Sequence, residues 1–153
     1  MAIPSKVLKF LEKAKVKYEP VQHKKVYTAY DKAATLRAPQ KIVGKTLVVK
    51  LDRNLALFLI PANKNLDKKK LKAKFVSERV IKNKLKGVKV GAIPPFGQLW
   101  KLLTFIDRGL LKNPKIIVNA GDYNWSLKIS PASFKKLLPN LIFGNFSKAK
   151  DKR

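Results

Sequence analysis

The sequence predicts an α+β fold, a single domain in which a mixed β-sheet is surrounded by several short helices. Three observations carry this. A chain of 153 residues that is 46% apolar has the length and the core material of one domain. Residues 42–61 read as two adjoining strands, the second almost wholly apolar. Around them lie short stretches of helical periodicity that begin at cap residues.

In chain order, Ser5 to Val16 reads as an amphipathic helix with Val7, Leu8, Leu11 and Ala14 on one face. Tyr18 to His23 reads as a short strand. Thr28 is a good N-cap for a helix over Ala29 to Leu36, with Asp31 three residues on as a weak capping box. Ile42 to Leu51 and Leu55 to Pro61 flank the turn residues Asp52, Arg53 and Asn54, as in a hairpin. The second of these strands has the all-apolar pattern of one buried on both faces. A basic stretch from Asn65 to about Phe75 reads as helical, and Ser77 caps another helix from Glu78 to Lys86. Gly91 to Gly97 holds two glycines and two prolines, so it is a loop. Leu99 to Ile106, Lys115 to Asn119 and Trp125 to Ile129 read as strands. Ser130-Pro131 then starts a last helix that runs to about Leu138. The domain is expected over residues 1–146, with residues 147–153 as a basic, frayed tail.

Charge narrows the partner. Lys and Arg total 35 against 9 acidic residues, a formal net charge of +26. Such a chain attracts polyanions, and its preference for Lys over Arg suits phosphate attraction better than base reading. Lys64 to Lys89 alone carry 11 basic residues against Asp67 and Glu78, a local net of +9. With no cysteine and one histidine, the sequence excludes disulfides, thiolate catalysis and Cys- or His-rich metal sites. The longest apolar run, Leu55 to Ala62, is too short to span a bilayer, and the N-terminus lacks the apolar core of a signal peptide. A soluble, cytoplasmic monomer is expected, bound to nucleic acid and not to membrane.

The order of motifs adds a resemblance. Tyr18-Glu19-Pro20-Val21-Gln22-His23, Thr28-Ala29, Gly44-Lys45-Thr46-Leu47-Val48-Val49 and Ile60-Pro61-Ala62 come first. Asn65-Leu66-Asp67, the Gly91 to Gly97 loop, Ile106-Asp107, Ala120-Gly121 and Leu127-Lys128-Ile129-Ser130-Pro131 follow. In this order, over roughly residues 5 to 140, the chain resembles the YbaK-like aminoacyl-tRNA deacylases. These occur free-standing and as the editing insertion of bacterial prolyl-tRNA synthetases. The resemblance implies hydrolysis of the ester that joins a wrong amino acid to the 3′ end of a tRNA. Such editing is needed where binding alone cannot discriminate small side chains. It implies no cofactor and no metal. It also makes the 3′ acceptor end of aminoacyl-tRNA the partner, tRNA-Pro carrying a small wrong amino acid the expected substrate, and a prolyl-tRNA synthetase a candidate second partner.

An aminoacyl ester is already activated, so its hydrolysis needs placement of the attacking group and stabilisation of the developing oxyanion. The family's strand lysine matches Lys45, which the resemblance makes the catalytic residue. Gly91, Ile93, Pro94, Pro95, Phe96 and Gly97 match a loop whose backbone N–H groups can face a carbonyl or oxyanion. Many relatives carry a small or hydroxyl residue where Pro94 stands, and Pro94 removes a donor. Asp107 matches an aspartate that could bind the substrate's amino group or hold Lys45; a strand-end cap is the alternative. Ala120 and Gly121 match a small pair lining the pocket. Lys64, Lys68, Lys69, Lys72, Lys82 and Lys86 are the expected contacts to the tRNA backbone, with a solvated basic face as the alternative. His23 has no persuasive partner for general-base work. Phe96, Trp100, Tyr123 and Trp125 are candidates to stack on the terminal adenine, though core packing is the commoner role. A second reading keeps the fold and charge but is a non-catalytic RNA-binding module, motivated by Pro94. A third is a basic protein of the ribosome or of a membrane surface.

Overall fold

The computed structural model describes residues 3–150. The chain begins with helix α1 (Ser5–Ala14), which buries Val7 and Leu11 and stops at Lys15 in the left-handed conformation. Strand β1 (Glu19–Gln22) follows, then α2 (Ala29–Leu36), where the Thr28 hydroxyl accepts the Asp31 N–H at 3.0 Å as the cap predicts. The expected hairpin forms from β2 (Gly44–Leu51) and β3 (Asn54–Pro61), paired antiparallel from Gly44↔Pro61 to Leu51↔Asn54. Strand β3 is buried along almost its whole length because it lies between β2 and β6 (Leu103–Asp107).

The basic stretch after the hairpin differs from the helix expected there. It breaks into β4 (Lys64–Leu66), the single turn α3 (Lys68–Leu71) and β5 (Ala73–Phe75). Asp67 caps α3, and Lys72 ends it in the left-handed conformation. Ala73–Phe75 then pair with Leu51–Val49, so sheet pairing overrides the helical propensity of a lysine run. Helix α4 (Glu78–Lys84) starts at Ser77 as expected. Leu99 and Trp100, the front of the strand expected from Leu99, lie instead in a 3-10 turn over Gly97–Trp100, at whose start the Thr104 hydroxyl accepts the Gly97 N–H at 2.9 Å. The short helix α5 (Arg108–Leu111) follows β6, then β7 (Ile116–Asn119), β8 (Trp125–Ile129) and α6 (Pro131–Leu137).

Two further strands have no signal of their own in the sequence, β9 (Ile142–Gly144) and β10 (Ser147–Ala149). Strand β10 pairs with β4, so the tail expected to fray from Ser147 is ordered through Ala149, and residues 151–153 lie outside the described residues. The main sheet has the order β5-β2-β3-β6-β9 and is mixed, with β3–β6 and β6–β9 parallel. A second sheet has the order β1-β8-β7, and a parallel bridge from Val43 to Ile117 ties the two sheets together. The largest core cluster joins α1, α6 and the inner faces of β7 and β8 around Phe96 and Phe134.

Candidate active site

Strand β5 covers β2 only at residues 49–51, so Lys45 to Leu47 lie along the open edge of β2. Two clefts meet there. One, of about 260 Å³, is lined by Tyr27, Thr28 and Ala29, by Lys45, Thr46 and Leu47, by Val90, Gly91 and Ile93, and by Asn119. That is room for a small aminoacyl group and less than a drug-sized ligand needs. The other, of about 470 Å³, is lined by Lys45, Lys68, Lys69, Lys148, Asn65, Leu47, Leu66 and Phe75. Lys45 is the basic residue common to both.

The Lys45 amine is half-buried and donates to the Lys64 carbonyl at 2.5 Å. Burial, with the charge of Lys150 second, lowers its pKa from the ordinary lysine value. A tethered amine with further N–H donors beside two clefts is suited to hold an anionic or carbonyl oxygen. Next to it, the Thr46 hydroxyl is buried and has no hydrogen-bond partner among the described residues. Such a group is costly until a ligand or water satisfies it.

The Gly91–Gly97 segment divides at Pro94. Its first part, Val90–Ala92, is a 3-10 turn laced to the β7–β8 connection. The Gly121 N–H donates to the Ala92 carbonyl at 2.9 Å, the Lys89 N–H to the Gly121 carbonyl at 3.0 Å, and the Gly91 N–H to the Tyr123 hydroxyl at 3.4 Å. Gly121 has φ +95°, and a Cβ there would meet Pro4 and Val88 at 3.0 Å. The second part is scaffold. Pro94 and Pro95 have no N–H, the Phe96 N–H goes to the Pro94 carbonyl at 2.8 Å, and the Gly97 N–H goes to Thr104. Phe96 is wholly buried. Of the loop residues expected to face substrate, only Gly91 and Ile93 line the smaller cleft. Ala120 is fully buried in the main core, and Gly121 reaches the site only through its bonds to the turn.

Asp107 is a cap. Its Oδ2 accepts from the Gly109 N–H at 3.1 Å, and its Oδ1 accepts from Phe146 and Ser147 N–H groups at 2.8 and 3.0 Å. Of the lysines expected at RNA, Lys68 and Lys69 line the larger cleft. Lys64 contributes the carbonyl that holds Lys45, while Lys72, Lys82 and Lys86 are exposed and line neither cleft. The aromatics differ as well. Trp100 donates its indole N–H to the Lys86 carbonyl, and Tyr123 packs edge-on against Tyr27. The exposed rings at the clefts are Tyr27 (59% exposed) and Phe75 (53%), with the Lys68 amine 4.5 Å from the Phe75 centroid.

His23 is fully engaged: its Nδ1 donates to the Lys24 carbonyl and its Nε2 accepts from the buried Ser126 hydroxyl, each at 2.8 Å. Burial is the main cause that lowers its pKa; the nearby Lys32 charge lowers it further, while the Lys24 bond and Asp122 oppose. Lys32 and Asn119 join the site without having been expected from the sequence. Lys32 is 4% exposed, and its amine donates to Asn119 Oδ1 at 2.5 Å; Asn119 Nδ2 donates in turn to the Ile93 carbonyl at 3.0 Å. A signal is present, since helical spacing puts Lys32 beside the inward positions Ala29, Ala33 and Leu36.

Comparison with known proteins agrees with this architecture. The sequence matches the family model of the aminoacyl-tRNA editing domain over residues 23–137. The chain belongs to the aminoacyl-tRNA editing domain family. Among solved structures, the editing domain superposes on the hypothetical protein APE2540 with a TM-score of 0.80 at 21% identity, covering 94% of this chain and 99% of that one. A candidate trans-editing enzyme for prolyl tRNA synthetase matches with a TM-score of 0.78 at 19% identity, over 95% and 96% of the two chains. No curated protein matches the sequence. The editing domain has no group of three or more His, Cys, Asp or Glu placed to hold a metal ion among its described residues. None of its described helices is long and apolar enough to cross a membrane.

Proposed function

We propose that this editing domain is a trans-acting aminoacyl-tRNA deacylase, and that Lys45 is the residue on which its chemistry turns. The observation that carries the reading is the position of Lys45 at the junction of a small cleft and a lysine-lined one. The 3′ end of an aminoacyl-tRNA has the matching asymmetry, a compact acyl group on one side of an ester and a ribose-phosphate chain on the other. In this reading the acyl group enters between Thr28, Ile93 and Asn119, and the nucleotide lies toward Lys68, Lys69 and Lys148. The Lys45 amine holds the reacting end, and the Thr46 hydroxyl meets an ester or ribose oxygen. Water, which a hydroxyl of the substrate can orient, attacks the carbonyl carbon; the tetrahedral oxyanion collapses, the bond to the tRNA 3′ oxygen breaks, and that oxygen takes up the proton the water gives up. No protein nucleophile is needed, since the carbonyl is already activated. The 260 Å³ cleft favours small acyl groups such as Ala, Ser or Cys, and tRNA-Pro is the first carrier to test.

The test is deacylation of tRNA-Pro carrying Ala, Cys, Ser or Pro. Selective release of one non-cognate amino acid, abolished in Lys45→Ala with an unchanged circular dichroism spectrum, is the expected result. Full activity of that variant would overturn the role given to Lys45.

One observation favours a second reading, a non-catalytic tRNA-binding module. Pro94 and Pro95 lack donors and the next two N–H groups are used internally, so the loop offers few groups to an oxyanion. That module would bind tRNA in a salt-sensitive way and release no amino acid from any member of the panel.

A further inference from the structure

Lys32 stands out among the described lysines, because nearly all of it is removed from water while the others serve the surface or the clefts. It lies behind the acyl cleft, in a small pocket whose walls Tyr27, Thr28, Gly91 and Asn119 also line that cleft. Its amine is spent on the Asn119 side-chain carbonyl, which leaves the Asn119 NH₂ to hold the Ile93 carbonyl. The carboxamide is thereby fixed in one of its two flips, since the lysine is a donor and the carbonyl an acceptor. Burying an amine costs stability, whereas a methionine would fill the same space without that cost. A lysine here is therefore unfavourable for the fold alone.

We propose that Lys32 is a positioning residue of the acyl cleft: its amine orients Asn119, and Asn119 holds the Ile93 end of the 90–93 turn across the cleft from Lys45. The inference rests on the deacylase reading for its effect on rate, but not for its effect on geometry. Burial pushes the Lys32 amine down to about 7, so its protonation changes near neutrality. The other titratable and charged groups around it are His23 on the segment after β1, Asp122 with its ion-pair partner Lys89, and the Tyr27 and Tyr123 hydroxyls.

The experiment follows the Asn119 side-chain amide and the Ile93 carbonyl carbon by NMR through the neutral pH range, in the wild type, Lys32→Met and Asn119→Ala. In the wild type both signals should titrate together. In Lys32→Met neither should titrate, and hydrogen exchange of the Asn119 side-chain NH₂ should accelerate. Asn119→Ala should shift the Ile93 carbonyl carbon, which loses its donor, without removing the amine, and this keeps the test decisive if Lys32→Met fails to fold. On an aminoacyl-tRNA that the wild type deacylates, both variants should lose about tenfold in kcat/KM, mostly in kcat, as expected for misplacement rather than weakened binding. Unchanged Ile93 signals in both variants would overturn the proposal, as would a titration that persists in Lys32→Met. A wild type that deacylates nothing would remove the deacylase reading and leave the NMR result to decide the positioning.

Discussion

The Asp107 carboxylate accepts backbone N–H bonds from Gly109, Phe146 and Ser147 at a position only 6% exposed. Replacing it with Ala leaves those partly buried donors without an acceptor, so urea denaturation should show a loss of about 1–3 kcal/mol. Lys32 has the opposite energetic sign. Its pKa falls from 10.5 to about 7 on folding, so between those values the unfolded chain binds more protons than the folded one. Stability from this residue therefore rises with pH across that window and is lowest below it. Lys32→Met should flatten the slope and be more stable than the wild type in acid, by on the order of a few kcal/mol less the cost of an unpaired Asn119 carbonyl. Thermal melts at several pH values check this. Lys45 is legible from its motif, because a lysine flanked by Ile42-Val43 and Leu47-Val48-Val49 is out of place in an ordinary wet face. Lys32 is less so: its spacing to Ala29, Ala33 and Leu36 places it near the inward face of α2, but only the packing of α2 shows that it is buried.

At the scale of elements, signals confined to neighbouring residues are the readable ones. The Thr28, Ser77 and Ser130 caps and the 54–61 strand sit where the chain alone puts them. Elements that depend on distant partners are not readable, as with β5 in the lysine run, or β9 and β10, which exist only by pairing with β6 and β4. The Gly91–Gly97 loop shows both behaviours. Its glycines and prolines announce a loop, but which N–H groups remain for a ligand depends on Thr104 and Tyr123, farther along the chain. At Gly97 a Cβ would meet the Leu102 carbonyl at 2.5 Å and the Thr104 hydroxyl at 2.6 Å. Gly97→Ala should therefore cost about 1–3 kcal/mol in a denaturant titration, because backbone on one side and a buried hydroxyl on the other leave little to yield.

For the whole molecule, a net charge of +26 makes every copy repel its neighbours and draws in any polyanion. The structure sorts that charge into lysines at the larger cleft and lysines that line neither. Replacing Lys68, Lys69 and Lys148 with Gln should weaken binding to the tRNA 3′ end. The log–log salt slope should also fall by about 0.7 for each single-strand phosphate that is no longer neutralised. Replacing Lys82 and Lys86 should change the slope less. Fluorescence anisotropy over a salt series measures both. The sequence reveals the sign and size of the charge but not this division, which depends on β4 and β10 bringing Lys148 beside the α3 turn.

The pairing of β1 with β8 brings Glu19 opposite Lys128, across most of the chain. During synthesis the β2–β3 hairpin can close as soon as it emerges, and Lys45 is then already in its strand. The wall of the smaller cleft cannot form so early, since Asn119 must meet Lys32 and Tyr123 must meet Gly91. A nascent chain stopped before Asn119 would carry Lys45 with the smaller cleft unclosed around it. The cleft is thus assembled late, and a prematurely released fragment would hold much of the charge of the editing domain without its cleft.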